Sequence, residues 1–161
     1  MDEKKDFRNY YEILEPVQKG SFVIVYKARH KASKELRAVK FIKINERFDE
    51  EKNELLKSTI NGINIMKLIQ EKKKDNTVIF YEYFINKSEI IIVMELCDCN
   101  LYSFLNNMKK GLNSEEILEI LTQLNNTFKI LYENKIVHRN LNLYNILIKY
   151  ENEKKLNIKL N

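Results

Sequence analysis

An α+β fold is predicted, with a sheet-rich first half and a helical second half, on three observations. Residues 11–44 are dominated by β-branched and aromatic runs, and residues 114–132 carry the clearest helical periodicity in the chain. No period of roughly 20 to 50 residues repeats, which removes solenoids and propellers. The 161 residues, 44% apolar and 32% charged, suffice for one folded domain and are too apolar for a disordered tail. Three glycines and one proline exclude a collagen-like or linker composition.

The elements follow in order. Phe22-Val23-Ile24-Val25-Tyr26 and Arg37-Ala38-Val39-Lys40-Phe41-Ile42 read as strands of a meander. Residues 45–74 read as a helix, with Leu55, Leu56, Ile60, Ile63, Met66 and Leu68 near a 3.6 period; Gly62 weakens its middle by about 1 kcal/mol relative to alanine. Two strand-like runs, 78–84 and 89–96, are joined by Asn86-Lys87-Ser88, which reads as a hairpin turn. Residues 101–108 suit a short helix and residues 114–132 a long one. Asn113 is placed to cap the latter, and Glu116 three residues on to return the bond. Ile117, Leu121, Leu124, Phe128 and Leu131 step by four, three, four and three along it, which predicts one buried stripe received by a bundle-like C-terminal part. Residues 136–161 read as a loop and two short strands, Ile146-Leu147-Ile148 and Leu156-Asn157-Ile158, around a charged turn at 150–155.

Charge and cysteine usage narrow the functional classes. A net charge of +5 is spread along the chain, and only Lys72-Lys73-Lys74 is a compact basic run, read as a solvated helix end. Nucleic acid is therefore not an expected partner. The longest apolar run, Ile90 to Met94, is far too short to span a bilayer, and Met1 to Asp6 lacks the apolar stretch of a signal peptide. No membrane association is expected. Cys97 and Cys99, with His30 and His138 distant in sequence, do not supply the four close ligands of a structural metal site. Free thiols in a reducing, intracellular setting, cytoplasmic or nuclear, are the expectation.

Three local signals point to chemistry. Gly20-Ser21-Phe22 sits in a turn between strand-like segments, ahead of Ala38-Val39-Lys40; a glycine-bearing hairpin over a strand lysine is one way to cover and pair phosphates. The run from Ile90 through Glu95-Leu96-Cys97 offers backbone donors and acceptors beside apolar residues, which suits a purine ring. His138-Arg139-Asn140 precedes Asn145 by the spacing that separates a proton-accepting carboxylate from a magnesium-binding amide in a phosphoryl-transfer site.

The ordered set V-Q-K-G-S-F-V-I-V-Y-K-A, R-A-V-K, I-V-M-E-L-C and I-V-H-R-N-L-N-L-Y-N-I-L resembles the eukaryotic protein kinase family from Tyr11 to Asn161. The resemblance implies a kinase-like fold: a five-stranded antiparallel N-lobe sheet with one helix, then a partial helical C-lobe. Residues 1–10 would be an N-terminal extension, 11–97 the small lobe and hinge, and 98–161 the partial large lobe ending after the catalytic loop. By the same resemblance Lys40 matches the lysine that pairs the α- and β-phosphates of ATP, and Met94 the gatekeeper residue. Glu95 and Cys97 match hinge backbone for the adenine. Val17, Gly20, Val25, Ala38 and Leu147 match the loop and walls of the nucleotide cleft, and Asn145 the Mg2+-binding asparagine.

The departures fall where the reaction needs most. Asn140 stands in place of the catalytic aspartate, and a carboxamide cannot accept and hold a hydroxyl proton. Gln18 and Val23 replace two glycines of the loop, so close approach to phosphates is sterically harder. Asn142 replaces the usual lysine of serine/threonine kinases and removes a positive charge from the γ-phosphate region. Gly62 occupies the position of the helix glutamate that pairs the strand lysine, and Glu54 substitutes only after an axial shift of about 12 Å. The sequence reaches Asn161 just ahead of where the metal-binding Asp-Phe-Gly segment is expected. Two readings follow: an impaired or inactive kinase-like domain that binds ATP weakly and acts by contact with a protein partner, or a divergent kinase that transfers the γ-phosphate to a protein hydroxyl.

Overall fold

A computed structural model describes residues 6–44, 49–72, 76–108, 110–152 and 155–161. The chain divides into two compact units, Met1–Ile65 with Ile79–Leu96 and Met66–Val78 with Cys97–Asn161.

The first unit opens on a four-residue helix, α1 (Phe7–Tyr10), capped by Asp6, whose carboxylate accepts from Arg8 N–H at 3.0 Å. Strands β1 (Tyr11–Lys19), β2 (Val23–His30) and β3 (Leu36–Lys43) form the expected meander, and helix α2 (Asp49–Glu71) follows. Strands β4 (Phe80–Ile85) and β5 (Glu89–Glu95) complete a five-stranded antiparallel sheet in the order β1-β2-β3-β5-β4. The α+β class and the five strands are as predicted. Phe22 lies outside β2, 76% exposed at the hairpin tip, and the fourth strand starts at Phe80 rather than at residue 78. The ends of the predicted helix at 45–48 and 73–74 lie outside the described residues, as do residues 1–5 of the predicted extension. The β4–β5 turn is built by Asn86, whose Oδ1 accepts from Ser88 N–H and Glu89 N–H, each at 2.9 Å.

One face of this sheet is a closed apolar layer. Ala28, Val39, Ile91 and Val93 are buried against Phe7, Tyr11 and Phe84. Within residues 6–10, Phe7 covers a surface that the strands leave open.

The second unit combines α3 (Leu101–Asn107), α4 (Ser114–Glu133) and a three-stranded antiparallel sheet of β6 (Cys99–Asn100), β7 (Ile146–Asn152) and β8 (Lys155–Leu160), in that order. The predicted capping box is present: Asn113 Oδ1 accepts from Glu116 N–H at 2.9 Å, and Glu116 Oε2 from Asn113 N–H at 2.8 Å. The predicted stripe needs correction. Ile117 and Leu121 are exposed, and the buried set is Ile120, Leu124, Thr127, Ile130 and Leu131. The reason is the packing partner, which is the β7–β8 hairpin rather than a helical bundle. Gln123 meets its outer edge, accepting from Ile158 N–H at 2.8 Å and donating to Leu156 O at 3.0 Å. Thr127 is buried because its hydroxyl donates to Asn76 O at 3.1 Å.

Helix α4 ends in a Schellman-type cap: Ile136 N–H donates to Leu131 O at 2.8 Å and Lys135 N–H to Tyr132 O at 3.0 Å. Lys135 bears the left-handed conformation, φ 56°, where glycine is preferred. Lys135→Gly is expected to raise stability by about 1 kcal/mol, read as a higher denaturation midpoint; an unchanged or lower midpoint would contradict this.

Candidate functional site

Strand pairing brings the first-unit residues matched by resemblance to the nucleotide cleft onto one face, Val17 excepted. Lys40 is directly opposite Val25 on one side and Ile92 on the other, and Ala38 is opposite Met94. Directly opposed residues share a face and alternate residues repeat it, so Val25, Ala38, Lys40 and Met94 lie together. The aromatic cover of Phe7 is on the other face. Ala38 and Met94 are buried, and Val25 and Lys40 half-buried. Val17 is the extra residue of a bulge between Pro16 and Gln18, is unpaired in register and is 56% exposed.

Among the described residues no carboxylate or hydrogen-bond acceptor engages the Lys40 amine. Burial alone pushes its pKa below the ordinary lysine value. Glu54 is exposed and does not pair with it, and Gly62 has no side chain to do so. Lys27, on the same face, is bound to Glu15 at 3.0 Å. Gly20 closes the β1–β2 turn through its N–H to Val23 O at 2.8 Å; an added Cβ would lie 3.0 Å from that oxygen, so a bulkier residue crowds the turn.

The backbone edge expected from Ile90 to Cys97 is narrower than the sequence implies. Strand β5 is interior, flanked by β3 and β4, so its ladder consumes those groups. Glu95 is itself buried: its N–H donates to Ile79 O at 2.8 Å and its carboxylate accepts from Ile79 N–H at 3.3 Å. Cys97 falls beyond the strand, in the second unit. Both cysteines are half-buried and neither is in a disulfide.

In the second unit residues 138–145 form a loop leading into β7, which carries half-buried Leu147 opposite Asn100 and Lys159. His138 Nε2 bonds Asn161 O at 2.9 Å; a carbonyl only accepts, so this nitrogen carries the proton. His138 Nδ1 is buried with no hydrogen-bond partner among the described residues. Arg139 takes φ 66°, a left-handed conformation costing roughly 1–2 kcal/mol, between the anchored His138 and Asn140. Asn145 Nδ2 donates to Asn140 O at 2.8 Å, and Asn142 Nδ2 to Asn140 Oδ1 at 2.8 Å. Helix α3 is fastened to this loop. Tyr102 N–H donates to Leu143 O at 3.2 Å, and the Tyr102 and Tyr144 rings stack with centroids 4.5 Å apart. Hydrogen bonds from Asn106 and Tyr144 hold the Tyr102 hydroxyl below its usual pKa, while the bond to Tyr102 pushes Tyr144 up.

The structure thus joins Val25, Ala38, Lys40 and Met94 in one unit and Asn140, Asn145 and Leu147 in the other. The contact role of Asn142 was not apparent from sequence, where only the loss of lysine charge was visible. The asparagine spacing 140, 142, 145 was the available signal, because short amides readily bond backbone N–H two and three residues on.

Among the described residues no three His, Cys, Asp or Glu side chains converge as a metal cluster. What is present fits a magnesium nucleotide in part. Lys40 is a cation with no internal counter-charge, matched to phosphate, and Asn145 turns Oδ1 away from its own hydrogen bond, leaving one amide oxygen for an ion. No described helix is long and apolar enough to cross a membrane.

The model of the protein kinase domain matches residues 11–161. The chain belongs to the protein kinase family. It is 31% identical over 148 residues to human cyclin-dependent kinase-like 5, covering 92% of this chain and 15% of that protein. Serine/threonine-protein kinase 4 homolog B of Dictyostelium discoideum is 33% identical over 153 residues, 94% of this chain and 13% of its own length. Cyclin-dependent kinase 14 of Xenopus tropicalis is 30% identical over 146 residues, 91% of this chain and 33% of its own. The chain therefore spans a third or less of the length of these relatives.

Proposed function

We propose that this kinase-like domain binds ATP with Mg2+ weakly, transfers phosphate poorly or not at all, and acts by contact with a protein partner. The observation that carries this reading is Asn140: an amide stands at the general-base position, and its oxygen already accepts from Asn142 at 2.8 Å. Lys40 would hold the α- and β-phosphates by charge-assisted bonds. Within the first unit, Met94, Val17, Val25 and Ala38 would supply the apolar contacts to the adenine; the Glu95 N–H is already held by Ile79 O at 2.8 Å and is not available to it. Asn145 Oδ1 would be one ligand of the magnesium ion, which when bound neutralises phosphate charge. With no carboxylate beside it at Asn140, a substrate hydroxyl keeps its proton and loses the orientation that a base provides.

A second reading, a divergent serine/threonine kinase acting on protein hydroxyls, is favoured by the kinase relatives at 30–33% identity. One set of assays separates the two. Equilibrium ATP binding with and without Mg2+, and radiolabelled phosphate transfer to generic protein substrates, are measured for the unmodified chain, Lys40→Ala and Asn140→Asp. The first reading expects ATP affinity that falls on Lys40→Ala, and no transfer by the unmodified chain. Robust turnover by that chain, abolished by Lys40→Ala, would reject it. A rise of roughly 10²–10⁴-fold in transfer on Asn140→Asp would identify the missing base as the principal defect.

A further inference from the structure

The three loop asparagines fix one another's orientation. Asn142 Oδ1 accepts from Tyr144 N–H at 2.9 Å and Asn145 N–H at 3.2 Å, and a backbone N–H only donates. The remaining arm of that side chain is therefore its NH2 group, which reaches Asn140 Oδ1 at 2.8 Å and Asn140 O at 3.2 Å. Asn140 must then face Asn142 with its amide oxygen. Its nitrogen is left on the other side, in an exposed residue and without a partner among the described residues. Asn145 is set by the same logic: its NH2 donates to Asn140 O, so its oxygen is the free group.

We propose that Asn142 is a positioning residue that sets the hydrogen-bond polarity of this loop, so that Asn140 offers an N–H donor to an anionic phosphate oxygen instead of an acceptor to a hydroxyl. The inference rests on the reading of residues 138–145 as the catalytic loop and deepens it: the general base is replaced by a group of opposite polarity. A donor of this kind bonds an anionic oxygen more strongly than a neutral one. The neighbouring Arg139 is exposed and forms no ion pair among the described residues, which leaves positive charge in the same segment. A free phosphate and a phosphorylated side chain present the same oxygens.

The amide orientation makes a prediction that a merely structural role would not. In Asn142→Asp one carboxylate oxygen still accepts from the Tyr144 and Asn145 amides, but the other now faces Asn140 as an acceptor. The Asn140 amide should turn over, and its NH2 resonances in a 15N-labelled chain should shift downfield and exchange more slowly with solvent. In the unmodified chain those resonances should move on titration with inorganic phosphate and with O-phosphoserine, and not with serine. A response to O-phosphoserine alone would place the source in a phosphorylated side chain; a response to both, in the phosphate group itself. The proposal is overturned if the Asn140 NH2 is already slow to exchange in the unmodified chain, if Asn142→Asp leaves it unchanged, or if serine moves it as much as phosphate does. Should Asn142→Asp not fold, the unmodified chain decides the orientation: the Asn142 NH2 should be hydrogen-bonded and slow to exchange and the Asn140 NH2 fast, and the reverse would overturn the proposal. ATP affinity of Lys40→Ala bears on the nucleotide-binding reading alone, so the two can fail separately.

Discussion

Replacing Phe7 with alanine is expected to destabilise the first unit by about 3–5 kcal/mol, the usual cost of removing a buried aromatic ring. Phe7 is 4% exposed and is held by three rings at once. It stacks on Tyr11 with centroids 5.1 Å apart, and meets Phe41 and Phe84 edge-on, each at 5.5 Å. Without it Ala28, Val39, Ile91 and Val93 face a cavity that a rigid sheet cannot close. Against a domain stability of roughly 5–15 kcal/mol the loss is a large fraction of the whole. Denaturant unfolding followed by far-UV circular dichroism measures it, and a loss under about 1 kcal/mol would show that the ring is dispensable. The same argument predicts that a chain starting at residue 11, where the match to the kinase family starts, is less stable than one that includes Asp6 to Tyr10.

The contrast between Phe7 and the strands it covers shows what the sequence makes legible. Strands β2 and β3 announce themselves through β-branched runs, and the α4 cap through Asn113 and Glu116, because these are local signals. Phe7 sits in a polar segment without periodicity, and the sheet formed downstream supplies the surface it covers. Helix α4 fails in a different way. Its apolar residues cover a wide arc, so two overlapping stripes are available, and periodicity cannot choose between them. The hairpin chooses, burying Thr127 through a hydroxyl bond and leaving Ile117 and Leu121 in solvent. Strand β6 has two residues and exists only by pairing with β7. The end of α4 lacks its glycine signal because Lys135 takes the left-handed position. In the candidate site the residue types and spacings were readable, whereas the polarity of the Asn140 amide depends on which groups Asn142 meets.

On the proposed nucleotide-binding reading, raising the pH is expected to weaken nucleotide binding before an ordinary lysine would lose its proton. Only the cationic form of Lys40 pairs with phosphate, and burial with no counter-charge lowers its pKa from the ordinary 10.5. In the free chain the sign is that of a depressed base. The unfolded chain binds more protons between the lowered and the ordinary value, so folding stability rises with pH through that window and is least below it. A bound phosphate supplies the missing anion and pulls the pKa of Lys40 back up, so binding takes up a proton and weakens as pH rises through the lowered value. Loss of a charge-assisted bond worth about 1.5–3 kcal/mol lowers affinity roughly 10- to 150-fold. ATP titrations above about pH 7, where the terminal phosphate is fully ionised, isolate the lysine from the ligand. Lys40→Arg keeps its charge throughout and should flatten the profile, whatever affinity it starts from. A wild-type affinity constant up to the ordinary lysine range would mean that another group supplies the negative charge Gly62 cannot, and the absence of a counter-charge would no longer explain weak binding.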